Sequence, residues 1–143
     1  MSKQRVFVVR PGDVVAMLPT VYQYLEEMAN RTNGRCTADD VAKRAMEPGC
    51  NLWITLDAEG ETNGAIITKV EQYPRVRMLN MLYMAGESGL MADFDDEFNT
   101  AVEEFAKFNH CAGVEFGGRA GWKKYVEPYG FKLQSVAYEK RFA

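Results

Sequence analysis

Hydrophobic and polar positions in the first third of the chain change from a strand period to a helix period. Residues 5–10 form a short run rich in β-branched side chains, which predicts a strand. Apolar residues then recur at helical spacing over residues 12–29, where Pro19 predicts a kink or a break. Thr37 and Asp40 resemble a capping box with Asp in place of Glu, and they predict a second, short helix directly after them.

The middle of the chain has the pattern of three successive strands. Residues 50–56 predict a strand, residues 57–60 have turn chemistry, and residues 62–73 predict the hairpin partner. Residues 76–85 are apolar at nearly every position after Met78. That pattern is typical of a strand that is buried on both faces and lies in the centre of its sheet.

The C-terminal third alternates again between helical and extended patterns. Asp93 is the predicted cap of the clearest helix, which carries one apolar stripe. The stripe consists of Phe94, Phe98, Ala101, Val102, Phe105 and Phe108. Residues 112–116 predict a buried strand, and residues 120–126 predict a short helix that ends before Pro128. Residues 131–142 predict a final strand, or two strands joined by a bend.

This order of elements predicts the fold class. Helices between strands imply some parallel pairing, and the central hairpin implies antiparallel pairing. We therefore predict an α/β fold in which a mixed, mostly antiparallel sheet is covered by helices on both faces. No internal repeat or linker-like tract interrupts the chain, so residues 1–143 are predicted to form a single domain.

Composition and charge exclude several classes of protein. Hydrophobic residues make up 47% of the chain and charged residues 26%, which is the balance of a globular domain rather than a disordered one. No apolar run approaches the roughly 20 residues of a membrane span, and the N-terminal apolar run is too short for a signal peptide. A net charge of -3 argues against non-specific nucleic-acid binding, which needs clustered Lys and Arg.

The cysteine and histidine content bears on metal sites and on the cellular compartment. Cys36, Cys50 and Cys111 are widely spaced, and the chain contains a single histidine, His110. Without a C-x-x-C pair or a second imidazole, no metal site is predicted. Because no export signal is recognised, we expect free thiols in a reducing, cytoplasmic environment.

The C-terminal half carries a spaced motif that resembles the GNAT acetyltransferase superfamily. GNAT domains often close with Asn, then Ala three residues later, Tyr four after that, and Gly-Phe four after the Tyr. In the segment RAGWKKYVEPYGFK, Gly130 and Phe131 take the Gly-Phe place. Counting back from them puts Arg119 on the Asn, Trp122 on the Ala and Val126 on the Tyr.

The same half is also similar to a group of small bacteriophage proteins described as GNAT-like. These proteins share an apolar strand ending in Ala-Gly, an amphipathic helix, a short strand, then Gly-Arg-x-Gly-Trp and Gly-Phe or Gly-Trp. The corresponding dipeptides here are Ala85-Gly86, Gly118-Arg119, Gly121-Trp122 and Gly130-Phe131. By motif the resemblance covers about half of the chain, and by element order it covers most of it.

The resemblance implies a fold, a cofactor and a set of binding residues. It implies a GNAT-like sheet with acetyl-CoA held along the splayed central strand, where Met84 and Gly86 would offer main-chain groups. Gly89 would supply a bent loop after that strand. Arg119 lies beside a Gly-Gly pair, and it could bind an anion or hold the turn to a neighbouring glutamate.

The chain departs from the GNAT pattern where the cofactor's pyrophosphate should lie. Enzymes of this superfamily place R/Q-x-x-G-x-G/A between the central strand and the next helix, where main-chain N–H groups hold the anion. Here the stretch contains five carboxylates, namely Glu87, Asp93, Asp95, Asp96 and Glu97. Residues 86–106 contain no Lys or Arg. These charges favour a helix start but repel a pyrophosphate.

A second departure concerns acid–base catalysis. In many GNAT enzymes the Tyr before Gly-Phe protonates the leaving thiolate, and Val126 stands at that position here. Tyr125 is one residue away, about 100° around a helix, and Tyr129 reaches the site only if Pro128 re-aims it. Glu71 is a candidate base for the acceptor amine.

Two functions follow from these observations. The first is an N-acetyltransferase that moves an acetyl group from acetyl-CoA to an amine through a degenerate cofactor loop. The second is a catalytically inactive, phage-encoded protein of the same fold that serves as a virion, assembly or host-interaction component, in the host cytoplasm or the virion. Surplus Met and aromatic residues and the sheet edges predict a homo-oligomer or a protein partner.

Overall fold

The computed structural model describes residues 5–87, 95–118 and 120–142. In this part of the chain, strands and helices follow one another in the predicted order as far as residue 130. The strands are β1 (Arg5–Val8), β2 (Cys50–Leu56), β3 (Thr62–Gln72), β4 (Arg77–Gly86) and β5 (Gly113–Glu115). The helices are α1 (Val14–Asn30), α2 (Ala38–Ala45), α3 (Asp96–Phe108) and α4 (Lys123–Val126). Short 3-10 turns at Pro11–Asp13, Ala120–Trp122 and Glu127–Tyr129 extend α1 and α4.

The strands form one mixed sheet in the order β1-β2-β3-β4-β5. β1 to β4 pair antiparallel with one another in succession, and β5 pairs parallel with β4. The predicted mixed, mostly antiparallel sheet is therefore confirmed. β4 has a neighbour on each side, as its apolar run indicates, although the middle strand of the sheet is β3.

The start of α2 and the end of α1 coincide with the capping and turn residues seen in the sequence. The predicted capping box is present, because Asp40 N–H donates to Thr37 Oγ1 at 3.2 Å and Thr37 N–H donates to Asp40 at 2.9 Å. α1 continues through Pro19 without a break. Asn33 and Gly34 follow it with positive φ angles of 54° and 81°, which end the helical path.

Side chains alternate between two hydrophobic cores, one on each face of the sheet. On the α1–α2 face, Leu52, Ile67 and Ala85 pack with the buried side of α1. On the α3–α4 face, Trp53 and Ile66 pack with α3. The alternation of neighbouring residues such as Leu52 and Trp53 between faces is the two-residue period of a strand. Each core therefore depends on every second residue of the same strands.

The stripe of α3 forms most of the second core. Phe98 and Val102 are buried, and Phe105 meets Trp53 edge to face with ring centroids 5.0 Å apart. The prediction that these side chains pack on the sheet is confirmed. Two details of the predicted helix differ. Phe108 is 82% exposed, because α3 ends there and the chain turns towards β5. The cap is Asp95, whose carboxylate accepts from Phe98 N–H at 2.9 Å, whereas Asp93 and Phe94 lie outside the described residues.

A bulge in β4 changes which side chains face each core. Ile67 pairs with Tyr83 and Thr68 pairs with Met81, so Leu82 is the extra residue. Before the bulge the side chain of Met81 lies in the α3 core, and after it Met84 does. Because three residues rather than two separate Met81 from Met84, both Leu82 and Tyr83 lie on the α1 side of the sheet.

The C-terminal part of the sheet is smaller than the sequence pattern predicts. β5 has three residues, and all three are half-buried. The predicted final strand is wrong, since residues 131–142 have no regular secondary structure and are almost all exposed. The apolar pattern of this segment is that of a strand, but no neighbouring strand in the described part of the chain hydrogen-bonds with it.

Candidate functional site

A cleft opens where β4 and β5 separate. The two strands pair only from Met78 to Asn80 on β4 with Gly113 to Glu115 on β5. Beyond that pairing lies a cavity of about 320 Å³. Its walls are the C-terminal turn of α1, residues 82–84 of β4, Gly117 with Gly118, and Trp122. Because α1 and Trp122 lie on opposite faces, the cleft passes through the gap in the sheet.

Main-chain groups of Met84 face this gap. Arg31 Nη1 donates to the Met84 carbonyl oxygen at 2.9 Å, so this carbonyl is directed at the guanidinium on the cleft wall. In an antiparallel strand the N–H and C=O of one residue point to the same side. The Met84 N–H therefore also faces the cleft. Glu27, one helical turn earlier in the chain, forms an ion pair with the Arg31 guanidinium.

A phenol and a thiol lie together on the α1 side of the cleft. The Tyr83 hydroxyl is 3.7 Å from Cys36 Sγ, and both side chains are half-buried. Burial and the contact with Cys36 raise the pKa of Tyr83. The hydroxyl therefore stays protonated at neutral pH and can donate a hydrogen bond. Cys36, Cys50 and Cys111 are all free thiols, as predicted.

The glycines of the C-terminal motif have structural roles in the described residues. A Cβ on Gly118 would lie 2.5 Å from Trp122 Cε3, so only glycine lets the indole pack there. Gly130 has a φ of 90° and ends the turn at Glu127–Tyr129. A Cβ on Gly117 meets no atom within 4 Å, so this position borders open space in the cleft wall.

Carboxylates occupy the start of α3. Asp95 accepts a main-chain hydrogen bond there, and Asp96 and Glu97 are in the first turn. Desolvation and a hydrogen bond to Asp96 raise the pKa of Tyr129, so its hydroxyl is directed at this helix start. An approaching anion would meet the chain's own negative charges.

A second carboxylate lies at the end of β4. The Tyr24 hydroxyl is 3.2 Å from Glu87 Oε1 and donates towards it and the Thr62 carbonyl. Burial, followed by the hydrogen bond to Glu87, raises the pKa of Tyr24 to about 12. Tyr24 is 3% exposed, so this contact joins α1 to the end of the strand.

The structure places the residues suggested for cofactor binding as follows. Met84 lines the cleft, and Gly86 is buried at the end of the same strand, paired with Gly64. Gly89 and Arg119 lie outside the described residues. Their suggested roles remain predictions.

The residues suggested for catalysis are spread more widely. Tyr125 packs half-buried against the α3 core, with Lys124 Nζ 5.1 Å from its ring centroid. Tyr129 points to the start of α3. Glu71 pairs in register with Met78 and lies 3.9 Å from Lys69 Nζ. Six residues of β4, roughly 20 Å of strand, separate that position from Met84. The cleft wall contains none of the three.

Three residues of the cleft wall were not predicted to be site residues from the sequence. Arg31 directly follows α1, whose charged side chains lie on the surface. Nothing in the local sequence therefore indicates that Arg31 reaches the cleft. Tyr83 belongs to an apolar run, and only the bulge at Leu82 turns it to the α1 side. Trp122 was recognised as part of a motif, and Gly118 beside it was the available sign that its ring packs closely.

The described residues also bear on two other kinds of site, a membrane span and a metal centre. None of the helices there is long and apolar enough to cross a membrane. Across residues 5–87, 95–118 and 120–142, no three side chains of His, Cys, Asp or Glu are placed to share a metal ion.

Comparisons with known proteins find likeness in structure rather than in sequence. No family model matches the chain, and no curated protein matches it in sequence. A ribosomal-protein-alanine N-acetyltransferase from Brucella melitensis biovar Abortus 2308 superposes with a TM-score of 0.66 at 12% identity, covering 97% of this chain and 99% of that one. An aminoglycoside acetyltransferase from an uncultured soil metagenomic sample gives 0.66 at 13% identity, covering 98% and 97%.

A third solved structure extends the range of organisms. An acetyltransferase from Trypanosoma brucei superposes with a TM-score of 0.63 at 11% identity, covering 98% of this chain and 100% of that one. The fold is therefore the GNAT acetyltransferase fold, over nearly the whole chain. At such low identity the likeness establishes the fold alone.

Proposed function

We propose that this chain is an N-acetyltransferase that transfers an acetyl group from acetyl-CoA to an amine in the cleft between β4 and β5. The observation that carries the proposal is the cleft itself, which opens beside the Met84 peptide in a fold shared with acetyltransferases. Its volume of about 320 Å³ is at the lower end of ligand sites. It suits an acyl-pantetheine arm better than a whole nucleotide cofactor.

The residues of the cleft can bind and orient such an arm. The Met84 N–H is a main-chain donor for the acyl oxygen, and Trp122 and Met28 supply apolar walls. Bound acetyl-CoA would supply the thioester carbonyl that an amine attacks. The Tyr83 hydroxyl, kept neutral by burial, is the nearest phenol on the cleft wall and can donate a hydrogen bond there.

We expect the protein to bind the nucleotide end of acetyl-CoA only weakly. Asp95 and Asp96 lie at the helix start where an anion would otherwise bind. Two unit charges 4 Å apart repel by about 4 kcal/mol at an effective dielectric constant near 20. We therefore expect acetyl-CoA and acetyl-pantetheine, which lacks the nucleotide, to be used with similar efficiency.

The first experiment compares these two donors and blocks the cleft. Amine acceptors should include an N-terminal-alanine peptide and an aminoglycoside, the classes named in the two similar acetyltransferases. Gly117→Leu places a side chain at the cleft wall and should abolish turnover with both donors. Gly12→Leu is the matched control, because Gly12 also has open space around its Cβ position but lies far from the cleft. Equal loss of turnover in both variants would contradict the proposal.

A second experiment tests the acidic helix start. Asp95→Ser keeps a capping oxygen and removes one charge, so it should tighten acetyl-CoA binding in calorimetry while leaving acetyl-pantetheine unchanged. Asp39→Ser is the control, because Asp39 lies in the first turn of another helix, α2. If the wild-type protein binds acetyl-CoA much more tightly than acetyl-pantetheine, the proposed weak hold on the nucleotide is wrong.

The second candidate is a non-catalytic protein of the same fold that acts in bacteriophage assembly or host interaction. The carboxylates at the start of α3 favour it, as does the absence of Tyr125, Tyr129 and Glu71 from the described cleft wall. No turnover with either donor across the amine panel, together with no acetyl-CoA binding, would select this candidate over the enzyme.

A further inference from the structure

A single charged side chain borders the described part of the cleft between β4 and β5. Of the described residues in the cleft wall, Arg31 alone carries a charge, and the others are apolar or neutral. Its side chain is 30% exposed, so the guanidinium is open to a molecule that enters the cleft. Withdrawing a cation from water costs free energy unless anions or hydrogen-bond acceptors surround it. The cleft therefore favours a ligand that brings an anionic group to Arg31.

The Arg31 guanidinium is held in place by two contacts that leave part of it available. Nη1 donates to the Met84 carbonyl oxygen at 2.9 Å, and Nη2 pairs with Glu27. A guanidinium has five N–H donors, so these contacts within the described part of the chain leave N–H groups for a ligand. The planar arrangement of these donors matches the two oxygens of a carboxylate. A ligand carboxylate is therefore the group that Arg31 is best suited to bind.

The Met84 peptide sets the distance between this carboxylate and the acetyl group. In the proposed reaction the acyl oxygen accepts from the Met84 N–H, while Arg31 is bound to the carbonyl of the same residue. The N and C atoms of one residue are roughly 2.5 Å apart, and each hydrogen bond spans about 3 Å. A carboxylate on Arg31 would thus lie within roughly 3–7 Å of the acetyl group. In an α-amino acid one carbon separates the amine from the carboxylate, so both groups fit within this distance.

The surroundings of Arg31 on the α1 side of the sheet are apolar. Met28, about one helical turn before Arg31, is buried, and the half-buried Leu82 packs against the same core. Both side chains line the cleft. An apolar acceptor side chain gains free energy by contacting them, whereas a polycation brings further positive charge towards Arg31. The cleft therefore favours a small apolar acceptor over an aminoglycoside.

We propose that the acceptor is a free α-amino acid with an apolar side chain, and that Arg31 is the specificity-determining residue that binds its carboxylate. This inference rests on the proposed N-acetyltransferase function, because it names the acceptor of that reaction. In the transfer, the amine nitrogen forms a bond to the thioester carbon and the C–S bond breaks. The proton released by the nitrogen passes to the departing thiolate.

Glu27 competes with the ligand for the same guanidinium. Its side chain is 38% exposed and pairs with Arg31 from one helical turn earlier. When a ligand carboxylate arrives at Arg31, it also approaches the negative charge of Glu27, and like charges repel. Removal of the Glu27 charge should therefore strengthen the binding of a carboxylate and leave the binding of a neutral ligand unchanged.

The first test measures binding of the acetylated product by calorimetry, so it needs neither a donor nor turnover. N-acetyl-L-leucine carries a carboxylate where N-acetyl-L-leucinamide carries a neutral amide. The wild type should bind the acid about tenfold or more tightly, because the amide forms no charge-assisted pair with Arg31. This preference should disappear in Arg31→Gln and increase about threefold in Glu27→Gln. Arg35→Gln is the matched control, since Arg35 lies just after Arg31 in the chain and pairs with Glu139.

The second test measures turnover with acetyl-CoA. The ratio of kcat/KM for L-leucine to that for L-leucinamide should fall about tenfold or more in Arg31→Gln. The ratio should be partly restored in Arg31→Lys, which keeps the charge, and unchanged in Arg35→Gln. If Arg31 only supported the fold, its replacement would lower kcat/KM for both acceptors alike. An unchanged ratio in Arg31→Gln would therefore overturn the proposal.

The two tests separate failure of this inference from failure of the proposed function. Equal binding of the acid and the amide by the wild type would overturn the carboxylate site, as would a preference that survives Arg31→Gln. If the preference is lost in Arg31→Gln but no amine is acetylated, the carboxylate site is supported and the proposed enzymatic function is wrong. Circular dichroism should show that Arg31→Gln is folded. If it is not, Glu27→Gln decides, because a preference that fails to increase there contradicts the proposal.

Discussion

The strands of the body and the C-terminal segment, residues 131–142, which we call the tail, both carry large apolar side chains, with opposite results. In β2 and β3, Leu52, Ile66 and Ile67 are fully buried, because each has a neighbouring strand and a covering helix. In the tail, Tyr138 and Phe142 stand on either side of three charged residues and are about nine-tenths exposed. The pattern shows which side chains need burial, and the presence of a neighbour decides whether burial occurs.

The sharpest test of this contrast replaces one phenylalanine in each region. Phe98→Ala should destabilise the protein by about 3–5 kcal/mol, because Phe98 is fully buried between α3 and the sheet. Phe142→Ala should change stability by less than about 0.5 kcal/mol at low concentration. Urea unfolding followed by circular dichroism measures both. Similar costs for the two would show that the tail is packed like the body.

A buried polar contact in the body should have the next largest effect. Trp53 Nε1–H donates to Thr68 Oγ1 at 2.9 Å, and both side chains are buried. Thr68→Val keeps the shape but leaves the indole N–H without its partner, which should cost about 1–3 kcal/mol. Thr68→Ser keeps the hydroxyl and should restore much of the loss. Unfolding monitored by tryptophan fluorescence distinguishes the two variants.

The capping box of α2 should contribute less. Thr37→Ala removes the side chain that accepts from Asp40 N–H and should cost about 0.5–2 kcal/mol. Hydrogen bonds from Thr37 lower the pKa of Asp40. Its stabilisation is therefore present above the ordinary carboxyl pKa and lost as the pH falls through the lower folded value. In Asp40→Asn this dependence of stability on acid pH should be absent, while Phe142→Ala should retain it.

The fall in the free energy of unfolding at alkaline pH should depend on Tyr24. Its pKa rises from 10.0 to about 12 through burial and the hydrogen bond to Glu87. Because the folded protein holds the phenolic proton more tightly, this contribution is complete below pH 10 and is lost as the pH rises through about 12. Tyr24→Phe should flatten the fall in stability over that interval. The exposed Tyr138 provides the comparison, because Tyr138→Phe should leave the curve unchanged.

The smallest effect should come from the first half of the tail. Leu133→Ser should alter the free energy of unfolding of the isolated monomer by less than about 0.5 kcal/mol, because Leu133 is 81% exposed. Thermal unfolding at low protein concentration is the measurement. A large loss of stability would mean that Leu133 is covered by the rest of its own chain.

Sequence patterns predicted most of the body because its signals are local. The capping pair Thr37 and Asp40 and the stripe containing Phe98 each act within a few residues. The same patterns failed for residues 131–142, because strand pairing depends on a partner that the segment's own sequence does not specify. Periodicity alone therefore cannot tell a paired strand from an unpaired one.

The candidate site was harder to predict than the fold. Met84 was identified because it lies in an apolar strand, and its main chain does face the cleft. Arg31 was missed because it comes from a helix 53 residues away in the chain. Tyr83 was missed because its orientation depends on the single extra residue at Leu82. Both depend on long-range register, to which local sequence is insensitive.

The strand order of the sheet has a consequence for synthesis of the chain. Since β1 to β5 lie side by side in the order in which they are translated, each new strand meets an edge that has already formed. Residues 5–86 contain four paired strands and the two helices of the first core, so this part can assemble while the rest is still in the ribosome. Residues 131–142 follow β5 in the chain, so they leave the ribosome after the residues that form the β5 edge.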